Sequence, residues 1–248
     1  MATKKYVYFI DGDDFIYPEV VLKMLDLCEK YGHDFVVSNN HRFNEFTKTF
    51  EDNFVRIPFI TSMTEDIPFT TLQQTPLFVY ETTVWNKVIS KKFLQEHNIQ
   101  DIPYDSYYED YYFSLLIMLN ARTFGYINDV GYCWRINPTS ITCNEQDIRK
   151  GKDRLKMINE IFPHILNSKE NIKNLGLFRI YNLDIPLVLR FINKYPPSFV
   201  DEFMETVYPW LLQTPKEFLI IQPSYYQEVY QSILNQDKTN FKRLIKVL

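Results

Sequence analysis

The chain has 248 residues, 46% of them hydrophobic and 23% charged, with a formal net charge of −4. That length and apolar content suffice for one full core, or a core plus a small accessory unit, and the acidic balance excludes the broad basic field that draws nucleic acid to a surface. Cys28, Cys133 and Cys143 are too few and too scattered for a disulfide framework or a closed zinc site, and no run approaches the roughly 18 apolar residues of a membrane span. The opening MATKKYVYFIDGDD reaches acidic residues too soon for a signal peptide, so reduced thiols in a cytoplasmic protein without a transmembrane segment are expected.

Residues 6–10, YVYFI, form a short β-favouring run that ends abruptly in Asp11-Gly12-Asp13-Asp14, as a buried strand does when it delivers carboxylates to a sheet edge. An interior strand is expected there. Pro18 suits a first helical turn, Val20, Val21, Met24, Leu25 and Cys28 recur at helical spacing, and Gly32 supplies a stop. A second strand follows at Asp34–Ser38, and strand, helix and strand together make a βαβ-like unit that implies a parallel sheet.

From Asn39 to Pro76 no period is sustained, and a loop with a hairpin around Phe54–Ile60 is expected. Ser90 can cap a helix through Phe93 and Leu94, Tyr108–Leu119 reads as another helix, and Thr123–Arg135 reads as strand, turn, strand. Beyond about Thr142 the pattern changes to amphipathic helices: Asp147–Leu166, Lys169–Asn193 with a break at Pro186, Phe199–Leu212, and Ser224–Leu248 in two pieces. Ser224 with Gln227 matches a capping box, and Asp237 can cap the last piece. The division is therefore a sheet-bearing domain over 1–144 and a helical region over 145–248.

Three carboxylates in four positions repel one another unless solvated or neutralised by a cation, and a hard divalent metal bridging a diphosphate is an economical solution. An acidic turn at the positive end of the following helix accounts equally well for this segment taken alone. For Glu109-Asp110, too, a solvated first helical turn competes with a chemical role, and for Arg135 a surface ion pair competes with phosphate binding. His33, His41, His97 and His164 show no metal-ligand spacing.

Four segments in order carry a resemblance. FIDGDDFIYPEVVLKMLDLCEKYGHDFVVSN is similar to the D-x-D-D strand, helix and strand of family 2 glycosyltransferases. Val84-Trp85-Asn86-Lys87 resembles the acceptor-side W-N-K segment of bacterial members, Tyr108-Glu109-Asp110 their E-D motif, and Tyr132-Cys133-Trp134-Arg135 through Ser140-Ile141-Thr142 the stretch that closes their active site. The resemblance implies an α/β fold, a partial GT-A (Rossmann-like) mainly parallel sheet followed by an α-helical C-terminal region. It implies an inverting transferase that moves a sugar from a nucleotide-diphosphate donor to a surface polysaccharide or related acceptor, with Mn²⁺ or Mg²⁺. In these terms Asp110 is the base, Asp13 the metal ligand, Asp11 and Arg135 contacts to the nucleotide, and Trp85, Asn86, Lys87 and Glu109 acceptor-side residues. Asn137 stands where many relatives have a metal-binding histidine. The family's nucleotide-reading strands precede the D-x-D-D strand, whereas five residues precede Tyr6, so a separate N-terminal half, a partner or a second copy is expected to complete the donor site. Action at the inner face of the membrane is the corresponding location.

Two other readings stay open from the residues alone. A haloacid-dehalogenase-like phosphatase also places a D-x-D at the end of a first strand, although Asp14-Phe15 follows where Gly-Thr is usual. An inactive GT-A-like scaffold would keep the fold for interaction only.

Overall fold

The computed structural model describes residues 3–53, 67–70, 82–99, 106–136, 148–220 and 223–247. The expected hairpin at 54–60, Asn137 and Ser140–Thr142 lie outside the described residues. The chain divides into two compact units, Met1–Pro103 with Asp110–Cys143, and Tyr104–Glu109 with Asn144–Leu248.

In the first unit, β1 (Tyr6–Tyr8), β2 (Phe15–Ile16), α1 (Pro18–Tyr31), β3 (Phe35–Asn44), β4 (Thr49–Asn53), β5 (Ile67–Thr70), β6 (Lys87–Ser90), α2 (Lys91–Glu96), α3 (Glu109–Asn120) and β7 (Phe124–Ile136) follow in order, Glu109 of α3 grouping with the other unit. The strands make one seven-stranded sheet in the order β1-β6-β3-β7-β2, with β4 on β3 and β5 on β7. α1 forms as its sequence requires: Pro18 sits in the first turn, Val20, Met24 and Cys28 bury one face, and Gly32 closes the helix at φ +67° with its N–H on the Cys28 carbonyl. That face packs on Val36, Val88 and Ile127 of β3, β6 and β7. Ser90 caps α2, its hydroxyl accepting the Phe93 N–H.

The sheet departs from expectation in three ways. β6 lies between β1 and β3 and is antiparallel to both, so β1 and β3 share a direction without touching, and β3 with β7 is the parallel pair found among the described strands. β1 is therefore at the end of the strand order rather than in its interior. Its apolar character comes from Tyr6 and Tyr8 packing on the α1 core, and among the described residues its ladder is with β6. Thr123–Arg135 is not a hairpin: β7 runs unbroken beside β3, and the polar Asn128-Asp129 step is absorbed by register shifts opposite Ser38–Asn40, where the Asn39 amide donates to the Asn128 carbonyl at 2.8 Å. The hairpin in the region expected to be loop is β3–β4, closed at Asn44–Thr49.

Because β1, β3 and β7 run the same way, Asp11–Asp14, the end of β3 and Tyr132–Ile136 all gather at one carboxyl edge of the sheet, where ligands of open α/β sheets bind.

The second unit is helical: α4 (Ile148–Leu166), α5 (Glu170–Arg179), a π-helical turn at Ile180–Asp184, α6 (Ile185–Phe191), a 3₁₀ turn at Ile192–Lys194, α7 (Pro197–Gln213), α8 (Lys216–Ile220), α9 (Ser224–Leu234) and α10 (Lys238–Ile245). Pro186 follows directly on the π-helical turn, in which the Ile185 N–H reaches back to the Ile180 carbonyl, so the break expected at Pro186 is a change of helical ladder and the chain continues as α6. Asp237 caps α10 through the Asn240 N–H, as expected. The Ser224–Gln227 capping box does not form, since Pro223 is the cap residue and its carbonyl receives the Gln227 N–H.

Candidate active site

The acidic tetrapeptide follows directly on β1. Phe9 makes a bridge to Trp85, and after Asp11 the backbone turns, with the Asp14 N–H on the Asp11 carbonyl at 3.1 Å. Asp11 and Asp13 are exposed, whereas Asp14 is half-buried beneath the end of β7. One oxygen of Asp14 accepts the Arg135 backbone N–H at 2.7 Å, and the other accepts the Tyr132 hydroxyl at 2.5 Å. The same hydroxyl accepts the Asp11 N–H at 3.2 Å. Burial raises the Asp14 pKa above the usual carboxylate value, against the opposing pull of these two donors, and burial with Asp14 alongside pushes the Tyr132 phenol up as well.

Tyr132 is fully buried and stacked on Trp85, with ring centroids 4.6 Å apart and planes 18° from parallel. This explains the spacing of the motifs in sequence: W-N-K and Y-C-W-R meet across the sheet beneath the acidic loop. Asn86 takes φ +63° and is fully buried, its side-chain amide donating to the Ser38 carbonyl at 3.1 Å while its own carbonyl receives the Ser38 N–H. Lys87, also fully buried, donates to the Thr83 carbonyl at 2.5 Å and to Asn86 Oδ1 at 3.1 Å. The three acceptor-side candidates Trp85, Asn86 and Lys87 are therefore packed inside the unit, and touching an acceptor would require them to leave these partners.

The start of α3 is tied to the same place. Phe113, three residues after Asp110, meets Phe9 edge-on at 5.3 Å, and Ser114, one turn beyond Asp110, donates to the Thr83 carbonyl at 2.6 Å. Glu109 belongs with the helical unit, and its Oε2 is buried without a hydrogen-bond partner. In that unit the Tyr107 N–H rests on Asp153 at 3.0 Å and the Arg154 guanidinium lies 4.2 Å over the Tyr108 ring. The Arg135 guanidinium pairs with Glu45 at 3.3 Å and sits 5.9 Å over the Phe15 ring. Lys48, with Arg135 as a further contributor, holds the Glu45 carboxyl below its usual range.

Among the described residues no group of three or more His, Cys, Asp or Glu side chains is arranged to hold a metal ion. Asp14 is engaged with Tyr132 and Arg135, and Asp11 and Asp13 are exposed residues with hard oxygen donors. Such a pair fits a divalent cation that takes its other ligands from diphosphate and water, as Mg²⁺ usually does. Sequence reasoning missed Tyr132 and the structural use of Asp14. The available signal was a tyrosine at the start of the Y-C-W-R segment, which no local rule connects to an aspartate 118 residues away.

Residues 1–95 match the family model described as glycosyl transferase family 2, a span that includes the acidic loop and W-N-K, with Asp110 and Arg135 beyond it. No curated protein sequence matches the chain. Among solved structures, S. aureus TarS 1-349 in complex with UDP-GlcNAc superposes with a TM-score of 0.76 at 15% identity, covering 99% of this chain and 68% of that one. TarS 1-349 in complex with UDP gives 0.73 at 16% identity, with 99% and 67% covered. For the longer TarS structure the TM-score is 0.72 at 16% identity, and this chain spans 40% of its length. At such identities the likeness concerns fold. No helix among the described residues is long and apolar enough to cross a membrane. The chain has the GT-A glycosyltransferase fold of these structures, and its first 95 residues, acidic loop included, are similar to the family 2 model.

Proposed function

We propose that this domain transfers a sugar from a nucleotide-diphosphate donor to a hydroxyl of a surface polysaccharide or related glycan, with inversion at the anomeric carbon. The observation that carries the reading is the acidic loop, pinned at the carboxyl edge of the sheet, with the start of α3 tied to the same strand end through Phe9 and Phe113. An acceptor hydroxyl attacking in line must lose a proton, and Asp110 is the carboxylate for that task. Asp13 and Asp11 would hold Mn²⁺ or Mg²⁺, with Asn137 as a further oxygen donor, and the cation supplies charge stabilisation to the departing diphosphate. Arg135 can exchange Glu45 for phosphate oxygens, which a guanidinium grips in a fork. The W-N-K segment, packed inside the sheet-bearing unit, supports the acceptor side from behind. TarS has been crystallised with UDP and UDP-GlcNAc, which supports uridine nucleotides as the first donors to try. Such an acceptor would place the reaction at the inner face of the membrane.

The test is Mn²⁺-dependent turnover of a panel of UDP-sugars. Asp13→Ala and Asp110→Ala should each lower it by about 100-fold or more, with donor binding lost in the first and kept in the second. Phosphate release from simple monoesters would favour the phosphatase, and absence of both cation and nucleotide binding would favour the scaffold. A second requirement follows from β1, which pairs with β6 alone among the described residues and leaves its other edge open to a further strand. Strands added upstream, by a partner or by a second copy would complete the donor site. Robust turnover by the chain as it stands, abolished by the same two substitutions, would remove that requirement and keep the site.

A further inference from the structure

Both ends of the acidic tetrapeptide meet at one hydroxyl from a strand more than a hundred residues away. Tyr132 Oη accepts the Asp11 N–H at 3.2 Å and donates to Asp14 Oδ2 at 2.5 Å, so a single atom holds both ends of the tetrapeptide. The Asp14–Asp11 backbone bond closes the turn, and the Arg135 N–H fixes the second oxygen of Asp14. The ring that carries the hydroxyl has no freedom of its own, stacked on Trp85 at 4.6 Å with Tyr8 at 6.5 Å. Between the two anchored aspartates lie Gly12, around which a Cβ would meet nothing within 4 Å, and the exposed Asp13. A loop with that much open space does not hold its shape by packing.

We infer that Tyr132, seated by Trp85, is a positioning residue that fixes the Asp11–Asp14 turn in the shape that presents Asp13 to a divalent cation. The inference rests on reading the loop as the cation and diphosphate site. Packing alone does not account for the hydroxyl, because a phenylalanine would fill the same volume and stack on the same indole. What the oxygen adds is an acceptor for one end of the turn and a donor for the other. Without it the Asp11 N–H and Asp14 Oδ2 both lose a partner, and the glycine-containing turn gains conformers.

The test compares wild type, Tyr132→Phe, Asp13→Ala and, as a control that removes a hydroxyl from another buried tyrosine of the same strand, Tyr126→Phe. Residue-resolved amide exchange and Mn²⁺ uptake followed by electron paramagnetic resonance are the readouts. Tyr132→Phe should speed exchange at Asp11 about tenfold and weaken Mn²⁺ about tenfold, the scale of one lost hydrogen bond. Asp13→Ala should abolish uptake with Asp11 exchange unchanged, and Tyr126→Phe should alter neither. Unchanged exchange and affinity in Tyr132→Phe, or equal shifts in both tyrosine variants, would overturn the inference. If the wild type takes up no Mn²⁺ while Asp11 exchange still depends on Tyr132, the cation reading falls and the hold on the loop stands. Should Tyr132→Phe fail to unfold cooperatively, Asp14→Asn weakens the same anchor and should give the same two changes.

Discussion

Gly12 and Gly131 have the same side chain and opposite constraints. A Cβ on Gly131 would stand 2.4 Å from Ser38 Oγ and 3.2 Å from Val20 Cγ1, because β7 passes close to β3 and α1 there. Gly131→Ala should therefore cost about 1–3 kcal/mol in urea unfolding, while Gly12→Ala should stay within about 0.5 kcal/mol. Cys28 makes a different point about the same core. Burial on the inner face of α1 pushes its thiol up to about 12, and burial pushes Cys133 up to about 11, from an ordinary value of 9.0. A raised folded-state pKa favours the protonated thiol, so this contribution is complete below pH 9 and is lost as pH rises toward the folded values. Stability should fall between pH 9 and 12, and Cys28→Ala should flatten that slope in urea titrations at pH 8 and pH 10.5.

At the scale of elements, end chemistry and buried charge set the energies. Ser90 receives the Phe93 N–H at the start of α2, so Ser90→Ala should cost about 1 kcal/mol, read as a lower urea midpoint with the slope unchanged. Asp184 is a larger case. It closes the π-helical turn with no exposure and faces two guanidinium groups, Arg154 at 2.9 Å and Arg179 at 3.2 Å. Asp184→Ala leaves the buried Arg179 and the partly buried Arg154 without their carboxylate and should cost about 3–5 kcal/mol, enough to lower the thermal midpoint by many degrees. Asp184→Asn should fall in between, since an amide oxygen still accepts hydrogen bonds while the charge is gone. The wider π turn shifts the helical phase between α5 and α6, so that Ile180, Tyr181, Asp184 and Ile185 all face inward.

At the scale of the whole molecule, the helical region does more than extend the chain. Each of its longer helices buries an apolar face, as in Leu155, Ile158, Phe162 and Ile165 of α4 and Phe199, Phe203, Val207 and Trp210 of α7. Isolated amphipathic helices are marginal in water. Within the same unit α4 supplies Asp153 and Arg154 to Tyr107 and Tyr108. Removal of residues 145–248 should therefore leave an aggregating or unfolded product. Size-exclusion chromatography and thermal unfolding of a 1–144 fragment check this, and a soluble fragment with a cooperative transition would contradict it.

What sequence determined by itself are the features in which cause and effect lie within a turn or two. Pro18, the Val20–Met24–Cys28 spacing and Gly32 define α1, Ser90 and Asp237 cap their helices, and an apolar run ending in Asp11–Asp14 announces an acidic loop after a strand. Tertiary structure alone decided the rest. Antiparallel β6 stands between β1 and β3 because its partners lie some fifty and eighty residues upstream, and no local period encodes that choice. Residues 124–136 became one strand rather than a hairpin because β3 offers a long parallel ladder that tolerates the Asn128-Asp129 irregularity. Ser224 lost its capping role to the carbonyl of the preceding proline. Lys87 reads as a surface residue by type, yet its ammonium is buried where the Thr83 carbonyl and the Asn86 amide replace its hydration. The hydrogen bond from Asp11 to Tyr132 crosses 121 positions of sequence, and its existence depends on the folded sheet bringing β1 and β7 to a common edge.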